Sequence, residues 1–450
     1  MLRYEKYVSA PASWIGTLPS HWEIKKIGSL FTERKTKVSD IDYAPLSVAK
    51  IGVVPQLETA VKTDAGDNRK QVRAGDFVIN SRSDRKGSCG VSPLDGSVSL
   101  INIVLTPRDA WNSHYVHYLM RCHAFSEEYY RYGRGIVADL WTTRFSEMKN
   151  ILLPIPPRVE QDQIVRFLDW KVSEINKLIR VKQSQIQCLK EKILTIINGF
   201  VIHGVKHDSS LMQTTMDWAP TIPCHWKTSR IRNHFEILKR IAGTEEYDVF
   251  SVTQQGLKVR NINLYEGQLA ANYSGYQFVY PGEFAMNHMD LLTGGVGIAD
   301  HLGVTSPDYR VFRLFDETQC YAPYYLRVFQ ICYRRHAFYK FGRGAANVGR
   351  WRLPAGAFKN FEIPLPPRDE QIEIVSAIES EEKKNLVTID CLQRQIEVLK
   401  ELKNRMIADV VTGKIDVRGV KIPEYEFVDE TEDNDTEDNN DAGGIEDQED

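Results

Sequence analysis

The sequence predicts an α+β protein built from two mixed α/β domains in tandem. Each domain is followed by a long helix, the two helices pair as an antiparallel coiled coil, and a disordered acidic tail closes the chain. Three observations predict it. The chain repeats itself once, each copy ends in a proline motif that opens a heptad-patterned stretch, and the last residues are acidic and poor in apolar side chains.

The repeat begins at an offset of 204, where Trp14, Pro19, His21, Trp22, Ile27 and Phe31 recur as Trp218, Pro223, His225, Trp226, Ile231 and Phe235. At 207, Gly75-Asp76-Phe77 and Asn80 return as Gly282-Glu283-Phe284 and Asn287. At 209, Tyr132-Gly133-Arg134-Gly135 returns as Phe341-Gly342-Arg343-Gly344. At 210, Pro154-Ile155-Pro156-Pro157-Arg158 and Glu160-Gln161 return as Pro364-Leu365-Pro366-Pro367-Arg368 and Glu370-Gln371. So many matches in one order mark a tandem duplication with a few small insertions.

Within each copy the elements differ in kind. Residues 15–153 and 219–363 carry short β-type runs broken by Gly and Pro: Asp76–Asn80, Ser99–Leu105, Tyr276–Tyr280 and Tyr309–Leu314. Helix-like aromatic stretches follow at Ser113–Arg131 and Ala322–Lys340. After the first proline motif, steps of 4 and 3 give Leu168, Val172, Ile175, Ile179, Lys182, Ile186, Leu189, Ile193, Ile196 and Phe200, nine of ten apolar. Lone Lys182 reads as a register-setting residue. The same steps from Ile378 give Glu382, Asn385, Ile389, Leu392, Ile396, Leu399, Lys403, Met406 and Val410, a less clean seam with Leu386 and Leu402 beside its polar positions. Pro-Pro suits a first helical turn, and Gly204 and Gly413 suit the stops. About 42 residues at ~1.5 Å each make a helix of roughly 60 Å, which with one apolar seam needs a partner.

The resulting division is an N-terminal segment 1–14, domain 15–153, proline motif and helix 154–204, linker 205–218, domain 219–363, proline motif and helix 364–413, a C-terminal segment 414–424 and the tail 425–450. The net charge of −3 hides an uneven spread, because residues 422–450 hold 14 acidic side chains and no Lys or Arg. Outside them 57 basic face 46 acidic residues, so positions 1–421 carry +11, compatible with a polyanion partner. The tail reads first as a solubilising extension, and second as a competitor of such a partner for the basic face. No run of 18 apolar residues suggests a spanning helix, and Met1–Lys6 has no apolar signal core. The seven scattered cysteines form no C-x-x-C pair, so reduced thiols, no metal and a cytoplasmic location are expected.

Catalytic signatures are lacking. No N-P-P-Y/F or D-P-P-Y motif occurs, Thr412-Gly413-Lys414 has Ala408 and Ile415 where a phosphate loop needs Gly and Ser/Thr, and no H-E-x-x-H spacing is present. Gly294-Gly295 reads as a turn. Pro19-His21-Trp22 and Pro223-His225-Trp226 read as packing anchors. Basic residues instead gather in turn-rich segments: Arg82, Arg85 and Lys86; Arg131 and Arg134; Lys340 and Arg343; Arg350 and Arg352. Arginine forks contact guanine edges or phosphates, and glycine permits close backbone approach, so these nine are the candidate DNA-binding residues.

Over residues 13–420 the chain resembles the specificity (S) subunits of type I restriction–modification systems. The resemblance rests on Trp14…Leu18-Pro19-x-His21-Trp22 and Trp218…Ile222-Pro223-x-His225-Trp226, on Ile155-Pro156-Pro157-x-x-Glu160-Gln161 and Leu365-Pro366-Pro367-x-x-Glu370-Gln371, and on Val411-Thr412-Gly413-Lys414-Ile415. His203-Gly204 stands where the family has Thr-Gly, and the acidic tail is not a family feature. The resemblance implies two target-recognition domains, each reading one half of a split target in double-stranded DNA, with the helix pair as the ruler for the unread gap. It implies a non-catalytic chain without a cofactor of its own. Its partners would be two modification subunits, which methylate adenine from S-adenosylmethionine, and restriction subunits using ATP and Mg. Two other classes remain: a coiled-coil scaffold without DNA readout, and an autonomous DNA-modifying enzyme.

Overall fold

The computed structural model describes residues 3–57, 66–109, 111–135, 141–206, 209–260, 273–344 and 351–429. The chain divides into two compact units, residues 1–185 with 391–450, and residues 186–390. The first long helix, Arg158–His203, and the second, Arg368–Val411, each contribute one part to each unit.

The duplication reappears as topology. In the first unit an antiparallel sheet runs in the order Cys89–Val91, Phe77–Asn80, Asn102–Pro107, Phe31–Glu33. In the second the order is Val296–Ile298, Phe284–Met286, Arg310–Leu314, Phe235–Leu238. The repeated Gly-(Asp/Glu)-Phe supplies the start of the strand that follows. Its Phe is buried in the sheet, and its carboxylate ties down the preceding turn. Asp76, 2% exposed, accepts from Arg34 Nε at 2.8 Å, Thr106 Oγ1 at 2.8 Å and the Arg73 amide at 2.9 Å. Glu283 accepts from Arg240 and from the Tyr280 amide at 2.9 Å. In the second unit Phe235, Phe284, Phe312 and Phe329 meet edge-to-face or stacked, each pair adding ~0.5–1.5 kcal/mol beyond its buried area.

Two aromatic stretches depart from the sequence reading. The first is two helices, Ser113–Arg121 and His123–Arg131, broken where Cys122 takes an extended backbone. The second helix ends at Arg334, and a 3-10 turn, Tyr339–Phe341, follows after His336 adopts φ 51°.

The repeated motifs join each domain to the helices. Strand Leu152–Ile155 pairs with Glu23–Lys26, and Glu362–Leu365 with Lys227–Arg230, so the chain enters each helix from the domain's last strand, paired with one of its early strands. Glu160 then accepts from Trp22 Nε1 at 3.1 Å, meets His21 Nε2 at 2.9 Å and takes the Tyr4 hydroxyl. Glu370 does the same for Trp226 Nε1 at 3.0 Å and His225 Nε2 at 2.9 Å. Gln161 and Gln371 donate to the carbonyls of Pro156 and Pro366, holding the helix starts. Each clamp also receives the end of the other helix. Gly413, at φ 76°, leaves no room for a Cβ against Pro19, and Gly204, at φ 78°, none against the Glu370 carboxylate. The anchor reading of the His-Trp pairs fits these contacts.

Within the first unit the helices run antiparallel, with Lys182 Nζ on Gln395 and Lys403 Nζ on Asn176. Leu168, Val172, Ile175 and Ile179 are buried on one helix, Ile396 and Met406 on the other, with Leu392 and Leu399 partly buried. Lys182 therefore sits in the seam with a polar partner. In the second unit Ile186, Ile378 and Ile389 are buried, Leu189, Ile193 and Ile196 partly so, and Ile197 and Val201 join the domain core with Ile374. The heptad phase holds through its polar positions: Asn385 is buried while Leu386 beside it is 61% exposed.

The ordered chain extends beyond the boundary suggested by composition. Tyr425–Asp429 lie along the first helix, where Ser173 Oγ donates to Glu426 O at 2.9 Å and accepts from the Val428 amide at 2.8 Å. Asn176 Nδ2 donates to Val428 O at 3.1 Å, and Arg180 to Asp429 O at 3.0 Å. The rest of the tail, 430–450, lies outside the described residues. No helix among the described residues is long and apolar enough to cross a membrane.

Candidate nucleic-acid interface

In the first unit, strand Phe77–Asn80 feeds a loop containing Arg82, Arg85 and Lys86, and helix His123–Arg131 feeds Tyr132-Gly133-Arg134-Gly135. The chain returning through Trp141–Arg144 runs between them. Thr142 exchanges backbone hydrogen bonds with Arg134 at 3.0 and 3.1 Å, and on its other side it is bridged to Arg82. Paired residues on neighbouring strands project to one face, so Arg82 and Arg134 flank Thr142 on that face. Both are exposed, and among the described residues neither is in an ion pair.

An open cleft of about 560 Å³ adjoins this ribbon, lined in part by Glu33, Lys35, Lys70, Arg82, Thr142 and Arg144. Burial lowers the pKa of the Lys70 ammonium, against the opposing charge of Glu33 at 3.7 Å. Sequence reasoning missed Lys35, Lys70 and Arg144. A further match at offset 210, Trp141 with Trp351, aligns Thr142 with Arg352 and Arg144 with Pro354, so recurrence carries no signal for Arg144.

The second unit repeats the ribbon. Arg343 and Arg352 exchange backbone hydrogen bonds at 2.8 and 3.0 Å, and the Leu353 amide donates to His288 O at 2.9 Å, as Thr143 does to Ser81 O. Arg343 and Arg352 are exposed and, among the described residues, in no ion pair. The first glycine of the repeated Gly-Arg-Gly serves packing rather than ligand approach. A Cβ on Gly342 would lie 2.2 Å from the indole of Trp351, whose Nε1 donates to Tyr339 O at 2.7 Å.

The remaining candidates are already occupied. Lys86 pairs with Glu127 at 2.6 Å, Arg131 with Glu128 at 2.7 Å, Arg85 with Asp84 at 3.9 Å and Lys340 with Asp217. The exposed pairs of Lys86, Arg85 and Lys340 are worth ~0–1 kcal/mol, so a phosphate can displace the carboxylate at small cost, whereas Glu128, 6% exposed, holds Arg131 more firmly. Arg350 lies outside the described residues. The structure thus brings together Arg82 with Arg134, and Arg343 with Arg352, each pair on one ribbon.

No family model matches the sequence. The chain is 21% identical over 243 residues to the putative type I restriction enzyme MjaX specificity subunit of Methanocaldococcus jannaschii, a match covering 48% of this chain and 55% of that protein. The chain thus spans about half the length of that relative. A chain solved in work on complex assembly and conformational transition of the type I R-M system shares the fold, with a TM-score of 0.59 at 13% identity, over 88% of this chain and 99% of its own length. The HsdS subunit from Thermoanaerobacter tengcongensis matches with a TM-score of 0.46 at 15% identity, over 88% and 98%. In sequence the chain is similar to a type I restriction enzyme specificity subunit, and in fold to a chain of a type I R-M system.

Proposed function

We propose that this chain is the DNA-sequence-reading subunit of a type I restriction–modification complex. The observation that carries the reading is the duplicated backbone ribbon, which holds an exposed arginine pair in each unit, Arg82 with Arg134 and Arg343 with Arg352, with Arg134 and Arg343 in equivalent positions. Two copies of one reader suit a split target, each domain (15–153 and 219–363) reading one half of double-stranded DNA while the helix pair fixes the gap. The chain itself carries out no chemistry. It recruits two methyltransferase subunits, which use S-adenosylmethionine, and restriction subunits, which use ATP and Mg. The resemblance, the relative and the basic body support this reading together.

The test is sequencing of methylated bases in the native genome with and without this gene. Loss of methyladenine at one bipartite motif is expected; an unchanged methylome sinks the proposal. Exchange of residues 15–153 for those of a relative is then expected to change one half-site and leave the other intact.

A further inference from the structure

Arg310 opens the strand Arg310–Leu314 and is 5% exposed, yet among the described residues no carboxylate pairs with it. Burial pulls its guanidinium pKa down to about 10. The fold does not require a charge there. Phe77–Ile79 of the first unit corresponds to Phe284–Met286 of the second, and Ile79 faces Ile103 where Met286 faces Arg310. The same place in the same sheet is thus filled by a buried isoleucine in one copy and by an unpaired cation in the other. Breaking up a cation's hydration without an anion is costly, and a side chain of similar volume without charge packs such a site at least as well.

What Arg310 touches points to the ribbon. Its Nη2 donates to Leu353 O at 2.7 Å, its guanidinium lies 4.9 Å from the Phe358 ring centroid, and its buried Nη1 has no hydrogen-bond partner among the described residues. Leu353 follows Arg352, whose backbone pairs with Arg343, and the Leu353 amide is tied to His288 O. In the first unit the corresponding carbonyl, Thr143 O, is taken by the neutral Tyr129 hydroxyl at 3.2 Å. The imidazole of His288 is pushed down to about 4 by burial and by the neighbouring Arg310 and Arg352 charges, and its buried Nδ1 likewise has no partner among the described residues.

We propose that Arg310 is a positioning residue for DNA reading by the second domain: it fixes, from beneath, the backbone that presents Arg352 and Arg343, and so sets the selectivity of one half-site only. The inference rests on the DNA-reading function proposed above. It places a buried, unpaired charge where stability alone favours an aliphatic side chain.

The experiment compares genome-wide adenine methylation in strains carrying the wild-type gene, Arg310→Met and Arg310→Lys, together with the melting temperature of each purified full-length chain. Arg310→Met is expected to melt no lower than wild type, while its preference for the cognate second half-site over single-base variants falls at least tenfold. The first half-site keeps its preference, and Arg310→Lys, which retains a cationic donor, recovers part of the loss. A purely structural role would instead lower the melting temperature and weaken both half-sites together; that result, or unchanged selectivity in Arg310→Met, overturns the inference. Should Arg310→Met fail to accumulate, the stability argument is wrong and the inference falls with it. A wild-type gene that leaves no bipartite methylation motif refutes the DNA-reading function itself.

Discussion

Glu160 carries more of the first unit's architecture than its position on a helix suggests, because one carboxylate serves Tyr4, His21 and Trp22. Glu160→Ala leaves the buried Trp22 indole N–H without an acceptor, at a cost of about 1–3 kcal/mol. Thermal unfolding of the full chain is expected to show that loss, and Glu370→Ala a similar one in the second unit. An unshifted melting curve for both would mean that the clamp is incidental. His117 supplies a pH dependence of known sign. Burial, with the Arg121 and His114 charges adding, pushes its imidazole down to about 3, so the folded chain holds it neutral. The unfolded chain protonates it near 6.5, and this contribution to stability is therefore present above pH 6.5 and lost as the pH falls toward 3, by about 2 kcal/mol at pH 5. His117→Gln is expected to flatten the stability–pH curve between those limits; a parallel curve refutes it.

At the scale of elements, Asn385 is a polar residue buried on an otherwise apolar seam, its Nδ2 returned to the backbone at Glu381 O at 2.8 Å. Asn385→Leu is expected to raise the melting temperature while relaxing helix register, since a buried polar seam position gives up stability for specificity. A lower melting temperature would show that the amide contributes net stability. The seam also argues the ruler prediction. Seven residues added to each helix preserve the heptad phase and lengthen the pair by ~10.5 Å, about three base pairs of gap at ~34 Å per turn. A methylation motif with an unchanged gap refutes the ruler. The helices were legible because heptad spacing survives even through Glu382, Asn385 and Lys403. The sheets were legible only in outline: Tyr276–Tyr280 and Ser99–Leu105 show where strands fall, but pairing between residues as far apart as Lys227 and Leu365 leaves no local trace. The candidate interface was half legible for the same reason. Arg134 and Arg343 stand out by recurrence, whereas Arg144, Lys35 and Lys70 become neighbours only through the fold. Recurrence also marked the Glu-Gln pair without saying what it holds, since its partners, Trp22 and Trp226, lie about 140 residues away.

Across the whole molecule, charge is segregated along the chain: +11 over residues 1–421 and, in 430–450, 11 acidic residues with no basic one. The last described residues are held by Ser173, Asn176 and Arg180, so the acidic segment leaves from a fixed point in the unit that contains Arg82, Arg134 and Arg144. A tether of 21 residues reaches at most about 70 Å when extended, so its carboxylates would compete locally for those cations. On the DNA-reading proposal, duplex DNA that binds through phosphates alone would compete with them, whereas a cognate site would add base contacts that the tail cannot match. Ending the chain after Asp429, or replacing the acidic residues of 430–450 by Asn and Gln, is expected to raise affinity for non-cognate duplex severalfold at 50 mM salt. The gain shrinks toward 200 mM salt as screening weakens the tail's hold, and cognate affinity rises less. Fluorescence anisotropy with a labelled random duplex, titrated at both salt concentrations, decides it. Equal affinity with and without the acidic residues leaves the tail a solubilising extension; a gain from truncation but not from neutralisation would assign the effect to bulk rather than charge.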